Sequence, residues 1–295
     1  MTDFRWPDGV RCVVFVSLNF DAESYDLKST TEDRLFGRFS YGRYGVRAGL
    51  PRLLHMLQRR GIRATVFITA SDAMRHVDAI REIRDAGHEI ASRGADLAPL
   101  TTLGDSEFHA LQRGRDTLAE IAGVHPAGFR AAAGEVGPRT LDHLAHLGFT
   151  YDSSFQDDDH PYVFSAGGSA TIVEVPTVSS LDDSFPYSAR HTHARVLKIW
   201  AEEFEALYRA GCLVPLTLHL RGDIGTSRAA RIAALEELLA HIAGQPGVRF
   251  MNGSELAAHT VRSGRKPEAN PYLAHSEVLS RTLYRGDLAI RPIGA

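Results

Sequence analysis

The sequence predicts a parallel α/β fold of about seven to eight strands alternating with helices, and three observations carry that prediction. Short apolar, β-branched runs alternate with stretches of helical period along residues 5–260, and the connections between them are short. The runs end on polar or charged residues: Asp21, Ser92-Arg93, Arg130, Asp152 and His219. Parallel strands need crossover helices, and parallel α/β sheets place their chemistry just past the strands' C-terminal ends.

The first strand reads from Val13-Val14-Phe15-Val16 through Ser17-Leu18-Asn19-Phe20 to two acids, Asp21 and Glu23. Residues 24–44 are polar and Gly-rich, with Tyr25, Phe36, Phe39, Tyr41 and Tyr44, the composition of a long loop over a site. Residues 46–60 form a helix with Leu50, Leu53, Leu54 and Leu57 on one stripe and Gly61 as its stop. Strand 64–68, one helix over 71–86 closed by Gly87, and strand 88–92 follow. Helix 106–121, ended by Gly123, leads to a short strand at 127–130; helix 138–147 leads to strand 149–152. A Ser, Asp and Gly-rich loop, 153–170, precedes strand 172–176. Helix 194–210 buries Leu197, Trp200, Phe204 and Leu207; the most apolar strand, 213–218, runs into His219. Helix 228–243, strand 248–251 and a final helix from 254 complete the period.

No composition break divides residues 1–262, which are read as one barrel domain. From Ser263 the chain turns polar, so residues 263–295 are read as a C-terminal arm. Its Pro271-Tyr272-Leu273 and Leu283-Tyr284 are expected to dock on the barrel or on a second subunit of a homo-oligomer.

Thirty-three Lys and Arg against 36 Asp and Glu, a net charge of -3, disfavour nucleic acid and anionic membranes as partners and leave a small-molecule substrate. Cys12 and Cys212 open apolar runs, where Cys acts as a small buried hydrophobe. No apolar leader or membrane span stands out, so a cytoplasmic location is expected. There is no Gly-rich phosphate loop, zinc-finger spacing or Gly-x-Ser-x-Gly elbow, which disfavours nucleotide cofactors and serine hydrolase chemistry.

Five motifs occur in order: Asn19-Phe20-Asp21-Ala22-Glu23, Gly87-His88-Glu89-Ile90, Gly128-Phe129-Arg130-Ala131, Gly148-Phe149-Thr150-Tyr151-Asp152-Ser153-Ser154 and Leu218-His219. In order and spacing they resemble the motifs of the polysaccharide deacetylase superfamily. Asp-Ala-Glu in the first motif, Asp157-Asp158-Asp159-His160-Pro161-Tyr162, Leu181-Asp182-Asp183, and Ile199-Trp200 with Glu203 resemble its intracellular branch of metal-independent allantoinases and cyclic imide hydrolases. The resemblance implies a distorted (β/α)7 barrel that hydrolyses an amide-type C–N bond other than a peptide bond.

The resemblance also implies a metal held by an Asp of the first motif and two His after His-Glu-Ile, and here the sequence departs from it. Arg93 and Leu97 stand at the two histidine positions. Zinc takes imidazole, thiolate or carboxylate donors, which neither side chain supplies, so no metal and no other cofactor is expected. Two registers of the first motif stay open. In one, Asn19 replaces the general base and Asp21 keeps a former ligand position; in the other, Asp21 is the base and Ala22 has lost the ligand.

A hydrolase without zinc must activate water and hold the oxyanion by other means. Asp21 or Glu23 is expected as base, Arg93 as oxyanion donor and His219 as the acid for the leaving nitrogen. Arg130, Asn19, Ser154 and Asp158 are expected to contact substrate. His88 is read as a core histidine. A metal-dependent amino-sugar deacetylase, and a repurposed barrel acting as lyase, isomerase or binding scaffold, are the alternative readings.

Overall fold

The structure, a computed structural model, describes residues 4–27, 37, 39–166 and 169–269. Among the described residues nine strands form one sheet: β1 (Cys12–Phe20), β2 (Thr65–Ile68), β3 (Glu89–Ser92), β4 (Gly128–Phe129), β5 (Tyr151–Asp152), β6 (Tyr162–Ser165), β7 (Thr171–Glu174), β8 (Leu213–His219) and β9 (Val248–Phe250). Their order is β6-β7-β5-β4-β3-β2-β1-β8, with β9 pairing the start of β1. Every pair is parallel except β6 with β7.

The sheet curls, and the gap between β8 and β6 is closed by single backbone contacts: Leu213 N donates to Asp159 O (2.9 Å) and Asp183 N to Thr217 O (3.0 Å). The result is the expected distorted barrel. Helices α1 (Ser24–Leu27), α2 (Phe39–Tyr44), α3 (Leu50–Arg60), α4 (Ala70–Arg75), α5 (Val77–Asp85), α6 (Glu107–Ala122), α7 (Thr140–His146), α8 (Ser184–Ser188), α9 (His193–Ala210), α10 (Ala229–Ala243) and α11 (Gly253–Arg262) follow the strands.

Strand parity sorts the core into two layers. Cys12, Val14, Val16, Leu18 and Phe20 of β1 join Val214, Leu216 and Leu218 of β8 under α3, α9 and α10, with Trp200 and Phe204. The opposite parity, Val13 and Phe15 with Phe67, Ala91, Tyr151, Val173 and Leu213, fills the barrel. Continuing that inner parity toward the strand ends reaches Ser17, Asn19 and Asp21 on β1, and Thr217 and His219 on β8. All five are buried.

The structure departs from the sequence reading in four places. Residues 162–165, read as part of a polar loop, form β6, whose Tyr162, Val163 and Phe164 pack inside despite the surrounding Ser, Asp and Gly. The single helix expected over 71–86 breaks at His76, whose φ of -130° and ψ of 45° lie outside the helical region. The expected loop 24–44 contains α1 and α2. The helix expected from 46 begins as a π-helical turn, Gly45–Gly49, before α3.

Beyond α11, Glu268 pairs with β6, its N–H donating to Val163 O (2.8 Å) and its carbonyl accepting from Ser165 N (2.9 Å). The rest of the arm, with Pro271, Tyr272, Leu273, Leu283 and Tyr284, lies outside the described residues. Cys12 and Cys212 are buried and free, and burial pushes the Cys12 thiol up to about 12. Among the described residues no helix is long and apolar enough to cross a membrane.

Candidate active site

Parallel pairing sets Asn19 of β1 directly beside His219 of β8. Arg93 leaves the end of β3, and Arg130 the end of β4. These side chains and Asp21 floor a cleft of about 1010 Å³, walled by Tyr25, Leu97, Ser154, Asp182 and the half-exposed ring of Phe185.

Asp21 is buried and faces two groups. Its Oδ1 lies 3.2 Å from Arg93 Nε, an ion pair too poorly aligned for a hydrogen bond, and its Oδ2 lies 3.8 Å from His219 Nε2. Arg93 is 6% exposed and, among the described residues, donates no hydrogen bond. Its Nε is fully buried without a hydrogen-bond partner, a costly state for a guanidinium N–H.

His219 Nδ1 donates to Asp183 Oδ1 (2.8 Å), and Asp183 Oδ2 accepts the backbone N–H groups of His219 (3.1 Å) and Thr226 (2.7 Å). Gly225 makes the last contact feasible. A Cβ there would sit 1.9 Å from His219 O, so only glycine lets the loop fold back over the end of β8. Asn19 Nδ2 lies 3.0 Å from His219 Nε2.

Arg130 donates to Ser17 Oγ (2.9 Å), Asn19 Oδ1 (3.2 Å), Ser153 O (3.0 Å) and Ser153 Oγ (2.8 Å), with its Cζ 4.0 Å above the Phe67 ring. Four of its five N–H groups are spent on the protein, one of them as a hold on Asn19. Burial and the charge of Arg93 push Arg130 down to about 10, which leaves it cationic at neutral pH.

Burial opposes the His219 imidazolium, and the hydrogen bond and charge of Asp183, with the charges of Asp182 and Asp21, outweigh it; the ring titrates above its ordinary value. Asp183 is raised by burial, which the bond and charge of His219 only partly offset. Asp72 on α4 accepts from Ala22 N and Ser24 N (both 3.1 Å) and fixes the turn that follows Asp21. Burial, against the bonds from Ser24 and with the charge of Asp21, pushes Asp72 up to about 6.

Of the eight residues expected at the site, the structure gathers Asp21, His219, Arg93, Arg130, Asn19 and Ser154 at the cleft. Ser154 Oγ is engaged by Asp152 Oδ1 (2.9 Å) and Ala131 N (2.9 Å). Glu23 and Asp158 are corrections. Glu23 pairs with His76 Nε2 (2.6 Å) and does not line the cleft; burial pushes its carboxyl up, but His76 more than offsets this and leaves it a weaker base than usual. Asp158 lines a separate 260 Å³ cavity and is held by Arg265 Nη2 (2.8 Å). His88 Nδ1 accepts from Ala64 N (3.0 Å), the core role expected of it. Asp72, Asp182 and Asp183 were not singled out as site residues. The Asp182-Asp183 pair was the available signal for the last two.

Leu97, 5% exposed, stands in the cleft wall, so the positions of the two ligand histidines hold an alkyl chain and a guanidinium already paired to Asp21. These residues do not fit a divalent cation. Asp182, Asp183 and His219 have ligand atoms within 4.8 Å of one another. They do not fit better, because the Asp183 oxygens already accept from Nδ1 and from two backbone N–H groups.

A crystal structure from Mycobacterium smegmatis, assigned as a polysaccharide deacetylase, is 34% identical and superposes with a TM-score of 0.84, covering 90% of this chain and 95% of that one. The chain belongs to the polysaccharide deacetylase family. The family's sequence model, Polysaccharide deacetylase, matches residues 27–151. The Helicobacter pylori peptidoglycan deacetylase is 24% identical over 254 residues, 74% of this chain and 85% of that protein. The Puue allantoinase structure shares the fold, with a TM-score of 0.77 at 24% identity over 86% of this chain and 91% of that one. As a polysaccharide deacetylase family member, the protein is a hydrolase of amide C–N bonds other than peptide bonds.

Proposed function

We propose that this hydrolase opens a small cyclic amide, imide or ureide of the succinimide, hydantoin or allantoin type, without a divalent cation. The observation that carries the reading is Arg93: a buried guanidinium on the cleft floor, paired to Asp21 and otherwise uncommitted among the described residues. It takes the place of a metal as the fixed positive charge that meets the carbonyl oxygen as it becomes an oxyanion. Asp21 and His219, 3.8 Å apart, are the two groups placed for proton transfer, and Asp183 orients the imidazole. The substrate is a small molecule, and any self-association runs through the C-terminal arm.

The test is ring opening of succinimide, hydantoin, allantoin and dihydrouracil by chelator-treated protein, run beside acetate release from N-acetylglucosamine oligomers. Turnover of a cyclic substrate that persists in chelator supports the reading. Activity that vanishes on chelation and returns with zinc, with acetate as product, replaces it by the second reading, an amino-sugar deacetylase. That alternative is favoured by the similarity to the peptidoglycan deacetylase and by a cleft volume of about 1010 Å³.

A further inference from the structure

A chain of one-way hydrogen bonds fixes the proton on His219. Arginine can only donate. Arg130 Nη1 lies 3.2 Å from one terminal atom of the Asn19 side chain, so that atom must be the carbonyl oxygen. The other is then the amide nitrogen, which can only donate, and it lies 3.0 Å from His219 Nε2. Nε2 must therefore accept. A neutral imidazole carries one N–H, so the proton sits on Nδ1, where Asp183 Oδ1 receives it at 2.8 Å. The argument does not depend on how the Asn19 amide was oriented, because the arginine decides it.

We infer that Asn19, locked by Arg130, is a positioning residue that keeps Nε2 of His219 unprotonated in the resting site, so that His219, rather than Asp21, takes the proton of the attacking water. Asp21 is committed to Arg93, and its Oδ2 stands 3.8 Å from Nε2, close enough to stabilise the imidazolium once it forms. The charged groups facing the ring are Asp21 from β1, Asp182 and Asp183 from the segment before α8, and, one residue behind Asn19, Arg130. Arg93 lies across Asp21.

The step balances without a co-reactant. Water displaces the Asn19 N–H from the single lone pair of Nε2; Nε2 then removes a proton from that water as its oxygen bonds the amide carbon, and the carbonyl π electrons move to oxygen, which Arg93 holds. The oxyanion then collapses, the C–N bond breaks, and Nε2–H passes its proton to the leaving nitrogen. The new carboxylic acid gives up its proton to solvent, and Nε2 is again unprotonated.

This division of labour rests on the hydrolytic reading above, but the tautomer belongs to the resting protein and is read without substrate. The experiment is ¹⁵N NMR of protein labelled at histidine, with His219→Gln to assign the signals. The expected spectrum, recorded above the ring's titration, shows His219 Nε2 as an unprotonated, pyridine-like nitrogen and Nδ1 as protonated. A protonated Nε2 in the neutral ring overturns the inference whatever the activity. In Asn19→Asp a carboxylate faces Nε2 and draws the proton there, so the imidazolium should persist to a pH higher by at least about one unit, a tenfold change in proton affinity. The rising limb of the kcat/KM profile should move with it. If instead Asp21 is the base, Asn19→Asp leaves that limb in place or raises activity at neutral pH. Thermal melting checks that the variant folds, and the wild-type spectrum stands if it does not. Absence of turnover on every cyclic substrate defeats the hydrolytic reading; a protonated Nε2 with normal turnover defeats only this inference.

Discussion

Asp183 collects three hydrogen bonds from two segments, the end of β8 and the loop at Thr226, and the one from Nδ1 acts with Asn19 at Nε2 to set which nitrogen of His219 carries a proton. Asp183→Asn should break that control. The side-chain oxygen would stay on the two backbone N–H groups, the new NH2 would face Nδ1, and the ring would be driven to its other tautomer. A fall in kcat/KM of about 10²–10⁴ is expected, with little loss of thermal stability. Steady-state kinetics beside a melting curve checks this; a loss below tenfold would leave Asp183 without the assigned role. Arg93→Lys keeps a charge beside Asp21 but loses the fork, and should lower kcat by about 10²–10³ with a smaller change in KM. A change confined to KM would make Arg93 a ground-state binder. Residues at strand ends were legible because parity and position fix where they point; Asp21, Arg93, Arg130 and His219 are all of this kind. Asp183 lies in a segment whose contact with β8 spans 36 residues, so the Asp182-Asp183 pair marks the place without showing its partner. Glu23 and Asp158 misled for the converse reason. Their partners, His76 and Arg265, lie 53 and 107 residues away.

Strands β5 and β7 carry a second acid pair that the mechanism does not use. Asp152 and Glu174 are register partners, both fully buried behind Ser154 and Phe155. Burial pushes Asp152 up to about 6, against bonds from Glu174 and Ser154, and burial together with the Asp152 charge pushes Glu174 well above its usual value. Burial beside the Asp152 charge favours the protonated form of Glu174, whose Oε1 accepts from Phe155 N (3.0 Å). Acids raised in the folded state bind protons the unfolded chain has already released. Their contribution is complete below the unfolded values of 3.8 and 4.5 and is lost as pH rises through 6 and beyond. Glu174→Gln supplies the donor permanently. Between pH 5 and 8 the wild type should lose about 1–3 kcal/mol more stability than this variant, read from denaturant unfolding at each pH. Parallel stability curves would show that the pair keeps no proton. At this scale the sequence revealed elements with long apolar runs and missed β6, four residues inside a polar stretch, and the break at His76, where helical period continues across the kink.

Over the whole molecule the alternation of strand and helix was enough to read a parallel α/β sheet, because parallel pairing demands crossovers, while its closure into a barrel was implied by the ordered motifs. The expectation of no cation site rests on two residue types at two positions, and one of them, Arg93, pairs with Asp21. A charge argument follows. Asp21 is buried, so whatever stands beside it must be positive; removing Arg93 alone leaves a carboxylate that a cation would neutralise. Arg93→His together with Leu97→His replaces the fixed charge by two imidazoles on the same cleft wall, the donors zinc prefers. The double variant should retain about one zinc per chain after dialysis, where the wild type retains none, and metal analysis by mass spectrometry reads both. Its cyclic-amide turnover should fall, because the oxyanion donor is gone, while wild-type turnover should be unchanged by chelator. Stoichiometric zinc in the wild type would mean that Arg93 does not replace the metal, and the assignment of its guanidinium to the oxyanion would have to be withdrawn.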